Sequence, residues 1–528
     1  MANKYKWTII FLVSAENNLI QESIKAVEEI YSVPESDEVK FLVIFDGLKG
    51  EKFSEEFAKP SLYEVSKANG FFIDRPVMVA QKDDLSDERT LCDLFTFVKD
   101  NYPAEQFGFF YKGHGGAGEN DITSGRFYEK LVKIDPDMTD DEIDKFIEEK
   151  FPKLNYEGNY AAAGFSRNKF NKSLVMAIFS RDNDYSLTYG KLARYLQKVF
   201  GVKGLSFVCL DCCWGQQIEN ACSFSIVAEN FIASADETPA LGLGYFELCS
   251  KIVQRPAIKA EEIANLIVAI YFYRNYADYD SPVPEFRKMG VSFTNVNTKA
   301  LHTGNGQGGF IDVFNELCSE LLDRLKEVAP YLQTARSVCL DYTYAKTDSM
   351  EADDIVYPVF NIDLIWFLEN LHCFLPATEP GLKNKINKTL LEIKKCVVAG
   401  YLGNNYEPVV PGSGISSNGG NGITITFPVS KEHYERSILT DDTIYFYKYT
   451  GWKKLLVAHY KAIESIDTHL AVETTIRNSA SVVEGAYATQ LTETSTLVTT
   501  TESIAVSEMT TSSYQSCWRP IKKAKQRR

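Results

Sequence analysis

Apolar positions near the start of the chain come in short blocks separated by stretches of helical spacing. Trp7-Thr-Ile-Ile-Phe-Leu-Val13 reads as a buried strand, Glu16-Asn17-Asn18 as a polar turn, and Leu19, Ile24, Val27 and Ile30 as one face of a helix. Phe41-Leu-Val-Ile-Phe45 then completes a βαβ unit. Ser86 is expected to cap a second helix through Leu91, Leu94, Phe95 and Val98, with Phe107-Gly-Phe-Phe-Tyr111 as the next strand. A third helix, through Leu192, Leu196 and Val199, leads into the strand Leu205-Ser-Phe-Val-Cys-Leu210. Strands alternating with helices predict an α/β fold on a mostly parallel, doubly wound sheet, in which sites form at the carboxyl ends of the strands.

Other segments break this rhythm. Residues 119–186 form a long polar insert with one helix signalled by the capping box Thr139-Asp-Asp-Glu142. From about 250 to 400 the pattern is mainly helical, and Gly422-Ile-Thr-Ile-Thr-Phe-Pro428 reads as a returning strand. Residues 461–528 turn rich in Ser and Thr and end in Lys522-Lys-Ala-Lys-Gln-Arg-Arg528, the composition of a disordered tail. The expected organisation is therefore a core over 1–250 carrying the insert, a helical part with the returning strand over 251–460, and the tail.

Composition narrows the function classes. The 528 residues, 45% hydrophobic and 24% charged, suit a soluble globular protein, and a formal net charge of -15 argues against a nucleic-acid binder. No stretch reaches the roughly 20 apolar residues that cross a bilayer, and the run ending at Val13 is too short for a leader and lacks a small-residue cleavage site. The 11 cysteines are odd in number and scattered, with Cys92, Cys249, Cys318 and Cys396 inside apolar patterns. Reduced core thiols in a cytoplasmic compartment are the expectation. Oligomeric state is not legible.

Two short segments carry chemistry. His114, one of six histidines, follows a strand within Lys112-Gly-His-Gly-Gly116, where glycines let the backbone come close to a substrate. The strand ending at Leu210 runs into Asp211-Cys212-Cys213-Trp214-Gly215, and a thiol between a strand end and a helix start is placed for a lowered pKa and nucleophilic attack. Each has an ordinary counterpart, a histidine in a surface turn and cysteines in the core. Cys209 and Cys212 also make a CxxC, the spacing of a thiol redox pair. No second Cys or His pair stands at a zinc-binding spacing.

Taken together, an apolar run leading to His-Gly and a later one leading to Asp-x-Cys resemble caspase-like cysteine peptidases, and further stretches are similar to the clostripain family in particular. These are Trp7-Thr8 with Asn17-Asn18-Leu19, Asn101-Tyr-Pro-Ala104, Ala233-Ser-Ala-Asp-Glu-Thr-Pro239, Gly422-Ile-Thr-Ile and Gly451-Trp452. The resemblance implies a caspase-like three-layer αβα sandwich with a mostly parallel sheet and a helical C-terminal subdomain. It implies His114 and Cys213 as catalytic dyad, backbone N–H groups of Gly115 and Cys213 as oxyanion hole, and Cys212 in a small-residue slot. Asp211, Asp236 and Glu237 would form an S1 pocket for a basic side chain, so that polypeptides are cut after Arg before Lys, with self-processing in the insert beside Arg126, Lys153, Arg167, Lys172 or Arg181. No cofactor is required. Calcium enters only through the resemblance, and no Asp-x-Asp-x-Asp-Gly loop accompanies it. The chain departs from the family pattern at Ala117, where relatives continue the glycine run, and at Trp214-Gly215, where they carry an apolar pair. The rival reading is a caspase-like scaffold that binds without catalysis.

Overall fold

A computed structural model describes residues 4–15, 19–46, 59–66, 76–82, 85, 87–113, 115, 187–235, 238, 242–277, 292–302, 309–339, 361–402, 421–428 and 444–465. The insert at 119–186 with its capping box, and the tail beyond 465, lie outside them.

The apolar runs do form parallel strands. β1 (Tyr5–Ser14), β2 (Val39–Asp46), β5 (Ala104–Lys112), β6 (Leu205–Asp211) and β7 (Ala228–Ala233) lie side by side in the order β7-β6-β5-β1-β2, all parallel. Antiparallel strands extend both edges. β3 (Ser61–Glu64) and β4 (Met78–Val79) follow β2, while β8 (Ser292–Asn297) and β10 (Val397–Leu402) follow β7, giving nine strands among the described residues.

The strands are apolar on both faces because both faces are covered. Ile10, Leu12, Phe109, Tyr111, Val208 and Leu210 point into one core. Ile9, Phe11, Val13, Phe110, Phe207 and Cys209 point into the other. Helices α2 (Glu88–Asn101), α3 (Tyr189–Phe200) and α4 (Ile218–Phe224) close the first face. Helices α1 (Ile20–Tyr31), α5 (Tyr245–Gln254) and α6 (Ala260–Phe272) close the second, which completes the three-layer caspase-like arrangement. The cap of α2 is one residue later than expected: Asp87, not Ser86, accepts from the Thr90 N–H at 3.0 Å.

The segment after residue 250 is mainly helical among the described residues, with short strands between its helices. It supplies β8 and β10 to the main sheet, so no boundary at 250 divides that sheet. Its helices α7 (Phe310–Asp323), α8 (Leu325–Ser337), α9 (Leu364–Phe374), α10 (Pro380–Cys396), α11 (Tyr445–Tyr449) and α12 (Trp452–Ser465) pack into the same core as α2 and α3. α12 runs past the expected boundary at 461. The returning strand is β11 (Thr424–Thr426), paired with β9 (Asn361–Asp363) in a separate two-stranded sheet.

Trp452 anchors this part. It is 1% exposed, its ring centroid lies 5.6, 5.9 and 5.4 Å from those of Phe314, Phe367 and Phe427, and its Nε1–H donates to the Thr426 carbonyl at 2.9 Å. Trp452→Ala is expected to cost about 3–5 kcal/mol of stability, measured by urea unfolding. A loss below about 1 kcal/mol would show that this cluster does not hold the C-terminal helices.

Candidate active site

Adjacent parallel strands bring the two sequence motifs together. In the β5–β6 ladder Lys112 is opposite Asp211, so the chain leaves both strands in the same register, toward His114 on one side and Cys213 on the other. Gly115 then passes against the turn that carries Cys213. A Cβ on Gly115 would sit 1.9 Å from the Cys213 carbonyl oxygen and 3.0 Å from Cys212 Sγ, so only glycine fits. His114, between Gly113 and Gly115, lies outside the described residues.

The two neighbouring thiols have opposite environments. Cys212 is fully buried in the first core, with the Tyr189 hydroxyl 3.3 Å from its Sγ, and burial pushes its thiol well above the usual range. Cys213 is only half-buried and lies at the surface end of the sheet. Its Sγ accepts a hydrogen bond from the Thr238 N–H at 3.3 Å, and the Thr238 hydroxyl is 3.5 Å away. The helix-dipole expectation is not met: α4 begins at Ile218, and the turn Cys212–Gln217 separates it from the thiol.

That turn is fastened from several sides. Trp214 takes a left-handed conformation, φ 51°, which bulky residues adopt only when their surroundings hold them there. It packs with Ala235, Cys213 and Trp366. The Gln217 and Asn220 side-chain amides donate to the carbonyls of Trp214 and Gly215 at 3.1 and 3.0 Å. Gln216 donates its N–H to Ser234 at 2.7 Å, and its carbonyl accepts from the Thr424 N–H at 3.0 Å. The C-terminal segment therefore directly reaches the turn that carries Cys213. Behind it Glu219 is fully buried, accepts from the Thr426 N–H at 2.9 Å and the Tyr447 hydroxyl at 3.2 Å, and is pushed by burial up to about 7.

Of the candidate S1 acids, Asp211 is among the described residues. Asp236 and Glu237 lie outside the described residues. Asp211, expected to receive a basic substrate side chain, is instead committed within the protein. Its side chain is 1% exposed and pairs with Lys112 Nζ at 3.2 Å, where Lys112 is itself 8% exposed. Oδ2 also accepts from the Tyr245 hydroxyl at 2.7 Å and the Leu243 N–H at 3.3 Å. Gly242, at φ 59°, closes over it, and a Cβ there would come 2.5 Å from Oδ2. Oδ1 has no hydrogen-bond partner among the described residues. Asp211 is thus a brace beneath the site, already matched by an internal cation. Nor does it cap α4, whose N-cap is Gln217.

The CxxC reading does not fit this geometry. Cys209 faces the second core and Cys212 the first, both are fully buried, and both are free thiols. Two side chains on opposite faces of a strand cannot form a working dithiol. Sequence reasoning also missed Thr238 and Lys112. Lys112 could have been found, since parallel pairing of the two motif strands sets it opposite Asp211. Thr238 stands inside Ala233-Ser-Ala-Asp-Glu-Thr-Pro239, a stretch in which only the two acids are given a role.

No family model matches the chain, and no curated protein matches it significantly. Solved structures do. A secreted C11 cysteine protease from Bacteroides thetaiotaomicron, in complex with an irreversible peptide inhibitor, matches with a TM-score of 0.50 at 15% identity, covering 85% of this chain and 99% of that one. An inactive zymogen C11 protease from Parabacteroides distasonis matches with a TM-score of 0.45 at 16% identity, covering 86% and 99%. At such identities the first of these likenesses speaks to fold alone: the chain has the caspase-like α/β fold seen in a C11, clostripain-type cysteine protease.

Proposed function

We propose that this chain is a cysteine endopeptidase in which Cys213 attacks the scissile carbonyl and His114 serves as its partner. The observation that carries the reading is the contact of Gly115 with Cys213, which ties the His-Gly segment to the half-buried thiol. The Cys213 thiolate forms a bond to the carbonyl carbon, and the oxyanion is held by the N–H groups of Gly115 and Cys213. Collapse breaks the C–N bond as His114 protonates the leaving nitrogen. Water then hydrolyses the thioester and returns the thiolate. These steps use side chains and backbone only, without a cofactor.

Cys213→Ala should abolish peptide cleavage, whereas Cys212→Ala, which removes a buried neutral thiol, should retain most of it. The reverse pattern would sink the assignment. Gly115→Ala, forced against the Cys213 carbonyl, should lose activity as fully as Cys213→Ala. N-terminal sequencing of wild type beside Cys213→Ala tests self-processing in the insert, expected in the wild type alone.

Substrates on this reading are polypeptides with basic residues, cut after Arg before Lys, because a planar guanidinium can bind a carboxylate through two hydrogen bonds. Asp236 and Glu237 supply the charge, since Asp211 is matched by Lys112. Nine cysteines among the described residues are not disulfide-bonded, which supports a reducing, cytoplasmic compartment. Cys373, which is disulfide-bonded, counts the other way, and cell fractionation decides between them. Among the described residues no helix is long and apolar enough to cross a membrane.

Peptides differing only at P1 test the specificity. Removing Asp236 or Glu237 should erase the Arg preference. Asp211→Ala should instead destabilise the fold by about 3–5 kcal/mol, the scale for orphaning a buried partner, and leave the Arg-to-Leu ratio nearly unchanged. A selective loss on Arg peptides in a fully stable Asp211→Ala would place that carboxylate in the pocket after all.

A further inference from the structure

We propose that Thr238 is a positioning residue for the nucleophile, its backbone N–H and its hydroxyl converging on Cys213 Sγ to hold it in place and favour its charged form. The inference rests on Cys213 being the nucleophile and adds what sets its reactivity. A thiolate in a peptidase needs a stabilising environment, and the one expected from the sequence, a helix N-terminus, is absent because α4 starts only at Ile218. The loop after β7 brings two groups of Thr238 to Sγ: its N–H, which donates at 3.3 Å, and its Oγ1 at 3.5 Å, whose hydroxyl can donate once the sulfur is charged. Donors stabilise a charged sulfur far more than a neutral one, so two from one residue favour ionisation and fix the direction in which Sγ points.

A loop could do this only if it were held in register with the turn it serves, and this one is fastened on both sides of Thr238. Before it, the Ser234 carbonyl accepts from the Gln216 N–H at 2.7 Å, and the Ala235 N–H donates to Ser292 Oγ at 3.3 Å. Ala235 also packs on Trp214, next to the nucleophile. After it, the Gly242 carbonyl accepts from the Asn275 side-chain amide at 3.0 Å, and the Leu243 N–H donates to Asp211 at 3.3 Å. Asp211 ends the strand that carries Cys213. The loop therefore leaves and rejoins the nucleophile segment itself. In the reaction the Sγ–carbon bond forms and the charge of the sulfur passes to the carbonyl oxygen; collapse of that intermediate then breaks the C–N bond and leaves the thioester. On hydrolysis the S–C bond breaks, and the thiolate returns to the same two donors.

The test is the pH dependence of Cys213 alkylation by iodoacetamide in the full chain, from about pH 5 to 10, read by peptide mapping so that each thiol is scored separately. Thr238→Val keeps the shape and the N–H but removes the hydroxyl, and Thr238→Ser keeps both donors. Thr238→Val is expected to raise the midpoint of the Cys213 profile by about half a unit to one unit, with the high-pH plateau within about threefold of wild type. The acid limb of kcat/KM should move with it, and Thr238→Ser should overlay the wild type. Thr238→Ala is read in the same way should valine disturb the loop. The proposal is overturned if the Val and Ala profiles overlay the wild type, if Ser shifts as far as Val, or if losing the hydroxyl speeds alkylation. Cys213→Ala separates the two levels: retained peptidase activity there removes the nucleophile reading itself, whereas a dead Cys213→Ala beside an unshifted Thr238→Val removes only the role of Thr238.

Discussion

The site depends on how closely two backbones can approach at the ends of neighbouring parallel strands. β5 and β6 leave the sheet in matched register, and the chain after β5 must cross the turn after β6 without a side chain between them. Gly115 meets that demand, since any Cβ would overlap the Cys213 carbonyl. The sheet makes the approach reproducible. Its central strands are buried on both faces by helices, so neither strand can slip or tilt without breaking a close-packed core.

From that contact the remaining supports follow as ways of holding one turn. Beneath it, Asp211 ties the end of β6 to Lys112 on β5 and to Tyr245 on α5, joining two strands and a covering helix through one carboxylate. Beside it, the loop through Ser234 and Thr238 touches the turn at Gln216 and at the thiol. Behind it, residues more than 200 positions later in the chain return to Gln216 and Glu219. Burial of Glu219 has an energetic cost that its bonds to Thr426 and Tyr447 offset, so the C-terminal segment is part of the site's foundation.

Much of this was legible in the sequence, for a physical reason. Strands buried on both faces must be apolar throughout, so β1, β2, β5 and β6 announce themselves as runs such as Phe41-Leu-Val-Ile-Phe45. The antiparallel strands that flank these parallel ones carry no such mark. β8 reads Ser292-Phe-Thr-Asn-Val-Asn297, and its Thr294 and Asn295 are buried, a pattern that looks like loop until β7 is beside it. In the sequence Cys213 is separated from Cys212 by its position in the motif alone; the structure adds that Cys212 is buried in the core and Cys213 half-buried. The internal pairing of Asp211 could not be read from one strand. An acid before a nucleophile suggests a substrate contact, and only the neighbouring strand reveals that Lys112 already occupies it. Thr238 lay equally out of reach, since its contact with sulfur exists only once the loop after β7 is fastened.

The central claim is that the half-buried Cys213, held against Gly115, is the group that attacks peptide carbonyls. The most direct measurement is mass-spectrometric mapping of the full chain after treatment with an irreversible electrophile carried on a peptide with Arg at P1. The account predicts a single adduct on Cys213 that His114→Ala suppresses. An adduct on Cys212, or none on Cys213 in protein that cleaves peptides, would contradict it.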